Sequence, residues 1–124
     1  MRKAKLTEVP SHIIAHASAV GRRETWQAEY NVAAWFRFKH INNEQIKLNI
    51  IWVDEQGHQS TTVDHSSINS SAILMSGIAR LHIHGAIRHM AVEVETDISD
   101  YSVDELFVQP AHRHLSDTKR ASNQ

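Results

Sequence analysis

Apolar and polar side chains alternate with a period of two residues along most of this chain. In the segment 46–53 every second side chain is large and apolar, namely Ile46, Leu48, Ile50 and Trp52. Successive side chains of a β-strand point to opposite faces, so this pattern predicts a strand with one buried face. The segment 32–40 alternates in the same way, with Ala34, Phe36 and Phe38 on the apolar face and Trp35, Arg37 and Lys39 on the other.

Short polar segments between these strands predict turns. The segment 54–57 opens with Asp54 and closes with Gly57, which suits a type I turn, so it predicts a hairpin into a strand over 58–63. The segment 41–44 contains two consecutive asparagines and predicts a turn that pairs the 32–40 strand with the next one. The serine-rich segment 66–71 predicts a loop.

The alternation continues in the second half of the chain, over 78–84 and 90–95. Its apolar phase shifts between these two segments, which predicts a turn or bulge over 85–89. A last strand is expected over 102–108, ended by Pro110. We therefore predict an all-β fold, an antiparallel β-sandwich of about eight or nine short strands.

Four segments together resemble the jelly-roll sandwiches of carbohydrate-binding modules and related lectin-like domains. They are AAWFRF at 33–38, LNIIWVDEQG at 48–57, ILMSGIARLHIHGAIRHMAVEVE at 73–95, which would form a hairpin, and the closing strand YSVDELFVQP at 101–110. The resemblance implies a jelly-roll-like sandwich that binds a glycan. Members of these families often hold a structural calcium ion through clustered carboxylates, and this sequence has no such acidic loop.

Length and composition fit one domain of ordinary globular type. The 124 residues are 41% hydrophobic and 22% charged, a balance that supports one hydrophobic core. From Pro110 onward the apolar periodicity is lost. We therefore expect a single β-sandwich domain over 1–110 and a flexible C-terminal tail over 111–124.

Charge and apolar content limit the kinds of partner. The formal net charge is −1, so we do not expect nucleic acid as a partner. No stretch approaches the roughly 18 consecutive apolar residues that span a bilayer, and polar residues interrupt the N-terminal segment where a signal peptide would be apolar. We therefore expect a cytoplasmic protein without a membrane partner. The absence of cysteine excludes disulfides and thiolate metal sites.

No catalytic motif stands out in the sequence. The serines between 60 and 76 do not lie in a GxSxG motif, and the four glycines are isolated rather than grouped in a phosphate-binding loop. Asp104 and Glu105 are adjacent, so on a strand they point to opposite faces and do not form an acid/base pair. We therefore predict that the domain is not an enzyme.

The strongest metal-binding spacing among the ten histidines is His82-Ile83-His84. Two imidazoles separated by one strand residue project from the same face and can share a divalent transition metal ion, with His89 joining them across the turn. The spacing resembles the HxH motif of cupins, but Arg88 and His89 occupy the positions where cupins have a glutamate. The alternative is that these histidines form the solvated face of a strand, in which case the sequence indicates no cofactor.

We predict that Trp35, Arg37 and Lys39 form the ligand-binding surface, because they share the face opposite Phe36 and Phe38. A Trp ring can stack on the C–H face of a sugar, while the two cations hydrogen-bond hydroxyl groups or an acidic sugar. The alternative for Trp35 is packing in the core or at a sheet edge.

Three functions remain open from the sequence. The first is a non-catalytic module that binds a glycan or a protein partner through one sheet face. The second is a cytoplasmic protein-interaction domain that assembles as a homodimer, for which Ile51 and Val53 would supply an apolar strand face. The third is a histidine-based metal-binding protein or metalloenzyme.

Overall fold

The computed structural model describes residues 1–14 and 25–111. Their regular structure is one short 3-10 helix, Ser11–Ile13, and seven strands: β1 (Arg2–Glu8), β2 (Thr25–Phe38), β3 (Gln45–Asp54), β4 (Gly57–Ser67), β5 (Ala72–His84), β6 (His89–Thr96) and β7 (Tyr101–Pro110). No helix in these ranges is long and apolar enough to cross a membrane. The all-β prediction is confirmed, whereas the predicted tail lies, apart from Ala111, outside the described residues.

The described strands are longer and fewer than the eight or nine predicted. β2 has 14 residues, β4 has 11 and β5 has 13. The predicted 58–63 strand, for example, continues to Ser67 through polar residues. Backbone pairing does not require an apolar side chain at each second position, so the loss of alternation does not mark the end of a strand.

The strands form two antiparallel sheets that pack face to face. The four-stranded sheet has the order β1-β6-β3-β4 and the three-stranded sheet the order β5-β2-β7. Of the consecutive described strands, β3 and β4 alone pair with each other; every other connection passes from one sheet to the other. This wrapping makes the domain an antiparallel, jelly-roll-like sandwich, as predicted.

Two strand pairings expected from the sequence are wrong. The 41–44 segment connects β2 to β3, but these strands lie in different sheets, and β2 pairs with β5 and β7. The 85–89 segment likewise connects β5 to β6 across the sandwich rather than forming a hairpin. Two-residue alternation tells which face of a strand is buried but not which strand lies beside it. The hairpin at 54–57 is confirmed, since Asp54 pairs with Gly57.

The core lies between the inner faces of the two sheets, as the alternation requires. β2 contributes six buried side chains: Ala28, Tyr30, Val32, Ala34, Phe36 and Phe38. β3 contributes the four predicted from its pattern: Ile46, Leu48, Ile50 and Trp52. Met90, Val92 and Val94 of β6 complete the four-stranded side.

The sandwich is closed along the side where β4 meets β5. There the backbone N–H of Ser76 donates to Oδ2 of Asp64 at 3.0 Å. A Cβ at Gly77 would lie 2.7 Å from the backbone oxygen of Val63, so this close approach of the two edges requires glycine.

Candidate functional site

Four large apolar side chains lie exposed on the outer face of the three-stranded sheet. Trp35 projects from the central strand β2 and is 40% exposed. Leu74 and Ile78 of β5 are 47% and 46% exposed, and Phe107 of β7 is 46% exposed. We call these four residues the apolar outer face. Single exposed apolar side chains are common on soluble domains, but a contiguous group of this kind marks a binding surface more often.

The strand register places the two aromatic residues of this face on adjacent strands. Trp35 is paired with Glu105 of β7, and Ala33 is paired with Phe107. Trp35 and Phe107 are therefore diagonal cross-strand neighbours, with Cα atoms about 7–8 Å apart. Ala33, which is paired with Phe107 and lies on the same side of β2 as Trp35, has a small side chain, and both rings are partly exposed to solvent.

The predicted cations lie at one end of the apolar outer face, and each has an acidic neighbour. Arg37 lies on the same side of β2 as Trp35 and forms an ion pair with Asp104. Lys39 lies just beyond the end of β2, with Nζ 3.6 Å from Oδ1 of Asp100. All four side chains are exposed to a substantial degree, so these ion pairs are weak.

The outer face of the four-stranded sheet carries a partly buried hydrogen-bond network beside the half-buried Ile51 and Val53. Nδ2 of Asn49 donates to Oε2 of Glu93 and to Oε1 of Glu95, both at 3.1 Å. The hydroxyl of Thr62 donates to Oδ1 of Asn49 at 3.0 Å. Asn49 is only 2% exposed and Glu93 is 9% exposed. The network joins β3, β4 and β6. The described residues of this face include no exposed aromatic ring.

The three predicted metal ligands do not come together. His82 is exposed on β5, paired in register with Gln27. Nδ1 of His84 lies 3.4 Å from Oδ2 of Asp54, and Nδ1 of His89 lies 3.1 Å from Oε1 of Glu8. Within 1–14 and 25–111 no group of three or more potential ligands has metal-binding geometry. The trio is therefore not a three-ligand site, because β5 and β6 belong to different sheets.

Asp54 is a buried carboxylate at the junction of the two sheets. Its side chain is 0% exposed. Burial raises the pKa of Asp54, but hydrogen bonds from the backbone N–H groups of His84 and Gln56, and from the Trp52 indole, outweigh burial and lower the pKa below its ordinary value. The ionised carboxylate therefore has a structural role, because it holds the β3–β4 turn and the end of β5 in place.

Sequence reasoning missed three members of the apolar outer face. Leu74 and Phe107 lie in uninterrupted apolar triplets, 73–75 and 106–108. On a strand the middle residue of such a triplet must face away from its neighbours, so the triplets themselves signal an apolar side chain on the solvent side. Ile78 carries no comparable signal, because Gly77 and Ala79 flank it.

Comparison with known proteins shows a similarity of fold alone. The chain matches no protein-family model. It also matches no curated protein.

One solved structure is similar: the CBM22-1 and GH10 modules of an N-terminal endo-1,4-β-D-xylanase of Clostridium thermocellum, in complex with xylohexaose. The TM-score is 0.54 at 12% identity, over 68% of this chain and 17% of that chain. The matched part is a carbohydrate-binding module rather than the catalytic module. The described domain therefore has the architecture of the jelly-roll sandwiches of carbohydrate-binding modules.

Proposed function

We propose that this domain is a non-catalytic binding module that holds a neutral glycan on the apolar outer face. The observation that carries the proposal is the pair of exposed aromatic rings, Trp35 and Phe107, on adjacent strands of one sheet. Flat aromatic surfaces complement the C–H faces of pyranose rings. The solved structure of similar fold contains CBM22-1 and GH10 modules in complex with xylohexaose, which makes this sugar the first ligand to test.

The charges beside the rings favour a neutral sugar over an acidic one. Arg37 and Lys39 are each accompanied by an aspartate, and Glu105 adds an exposed carboxylate next to Trp35. An acidic sugar would meet three carboxylates in this area and only two cations. Hydroxyl groups, by contrast, can donate to Asp104 or Glu105 and accept from Arg37 or Lys39 without a net charge in the ligand.

The experiment compares variants that remove an aromatic ring with a variant that removes aliphatic surface from the same face. Isothermal titration with xylohexaose and a panel of soluble neutral glycans would be carried out on W35A, F107A and W35F, with L74A as the matched control. The proposal expects W35A and F107A to abolish binding, while W35F and L74A keep most of it. Equal loss in L74A would mean that apolar area rather than ring stacking drives binding, and unchanged binding in W35A would refute the proposed site.

Self-association is the second candidate function, and Leu74 and Ile78 favour it. Aliphatic side chains do not stack on sugars, yet these two residues enlarge the exposed apolar patch on β5. Light scattering or sedimentation of the wild-type protein tests this alternative. A dimer that dissociates in the L74A/I78A double variant would support it, whereas a monomer at all concentrations would reject it.

A further inference from the structure

Among the described residues, the sandwich is open along the side opposite the β4–β5 closure. β1 ends the four-stranded sheet on this side and β7 ends the three-stranded sheet, and neither edge is paired with another described strand. Two cavities lie between these edges. One, of about 330 Å³, lies between the start of β1 and Tyr101; the other, of about 460 Å³, lies between residues 7–13 and residues 106–109.

The inward side chains of β7 are incompletely covered. Val103, Leu106 and Val108 are only partly buried against the core. Their cross-strand partners on β2 are Phe36, Ala34 and Val32, all of which are fully buried. The difference arises because β2 has a strand on each side and β7, among the described strands, has one on only one side.

We propose that this open side binds an extended strand of a partner protein, which pairs with the free edge of β7. The added strand would extend the three-stranded sheet to four strands, equal to the opposite sheet, as in a sandwich of eight strands. Its backbone would satisfy the unpaired N–H and C=O groups of the β7 edge. Its inward side chains would fill the two cavities and cover Leu106 and Val108.

The charges on the outward face of β7 indicate which side chains the partner strand should carry. Asp104 already pairs with Arg37, but Glu105 has no cation within ion-pair distance among the described residues. A lysine or arginine directly across from Glu105 would supply one. The partner strand is therefore apolar at alternate inward positions and carries a basic residue on its outward face.

A second copy of this domain fits the free edge of β7 less well than the partner strand described above. Asp104 is the extra residue of a bulge in β7, so Asp104 and Glu105 both lie on its outward face. Antiparallel pairing of β7 with itself, with matching faces along the strand, therefore places Glu105 opposite Asp104 of the other copy. This arrangement supplies no cation and places like charges directly opposite each other, which is destabilising. The acidic residues of β7 thus disfavour self-pairing of this edge.

The first test uses two synthetic ten-residue peptides, VTVKVKVTVT and the same peptide with glutamate in place of both lysines. Fluorescence anisotropy should show that the lysine peptide binds the full chain more tightly, by about fivefold. E105K should reverse this preference, and E55K, which changes an exposed acid in the β3–β4 turn, should not. A preference that survives E105K, or absence of binding by both peptides, would overturn the proposal.

The second test separates strand pairing from side-chain binding. N–H groups of alternate residues in a strand point to the same edge, so N-methylation of the valines blocks one edge of the lysine peptide and N-methylation of the other residues blocks the opposite edge. Pairing with β7 predicts that one methylated peptide loses binding and the other keeps it. Equal effects of the two modifications would contradict pairing with a single sheet edge.

Discussion

Oδ2 of Asp54 accepts a hydrogen bond from the backbone N–H of His84 at 3.0 Å, and this contact joins the end of β3 in one sheet to the end of β5 in the other. The same oxygen accepts from Nε1 of Trp52 at 3.1 Å. Oδ1 accepts from the backbone N–H of Gln56 at 2.9 Å and so fixes the β3–β4 turn. One carboxylate therefore positions a turn, a core side chain and the opposite sheet.

D54N should lower the free energy of unfolding by about 1–3 kcal/mol, because an amide replaces one accepting oxygen with a donor and leaves a buried partner unsatisfied. Urea unfolding monitored by Trp fluorescence measures the change. E55Q, at the exposed neighbouring position, is the control and should match the wild type. An equally stable D54N protein would show that the carboxylate does not anchor the two sheets.

The lowered pKa of Asp54 predicts a pH dependence of stability. Its ordinary value is 3.8 and its folded value is lower, so the ionised carboxylate contributes its full stabilisation above 3.8. This contribution is lost as the pH falls below 3.8 and through the folded pKa. The difference in unfolding free energy between wild type and D54N should therefore be larger at about pH 7 than at about pH 3. A constant difference would contradict the ionised role.

N49A should destabilise the domain by about 1–3 kcal/mol, because it removes the hydrogen-bond donor of the nearly buried Glu93. Thermal unfolding measures this loss, and N69A, which alters an exposed loop residue, provides the control. Addition of E93Q to N49A should recover part of the stability, since it removes the uncompensated buried charge. A double variant less stable than N49A alone would contradict this explanation.

G77A should also destabilise the domain, by about 1–3 kcal/mol, because the new Cβ would lie 2.7 Å from a backbone oxygen of β4 that has little freedom to move. S76A changes an adjacent exposed side chain and should have little effect. Differential scanning calorimetry compares the two variants. If G77A is as stable as S76A, the β4–β5 side is not closely packed.

The sequence predicted the inner faces of the central strands well, because alternation reports burial directly. Ile46, Leu48, Ile50 and Trp52 are all buried, and Trp35 lies on the solvent side. Strand neighbours were not predictable, since alternation is the same whichever strand lies alongside. β1 was not predicted as a strand, because its outward residues include Lys3 and Lys5, a composition typical of an edge strand.

The candidate site could be predicted only in part, because alternation does not show which strands lie side by side. Trp35 and Arg37 share a face by their spacing alone, but Phe107 reaches that face through the β2–β7 pairing, which joins residues far apart in the chain. The acidic neighbours Asp104 and Asp100 arrive in the same way. Tertiary pairing therefore supplied the second aromatic ring and the charge balance.

The central claim, that the ring of Trp35 contacts a neutral glycan, is tested most directly by an NMR titration with xylohexaose that follows the three Trp indole N–H signals. Trp26 donates to the backbone oxygen of Gly85 and Trp52 donates to Asp54, so both indoles are internal controls. We predict a saturable shift of the Trp35 signal alone. A shift confined to Trp26 or Trp52, or no shift with this or any other neutral glycan, would contradict it.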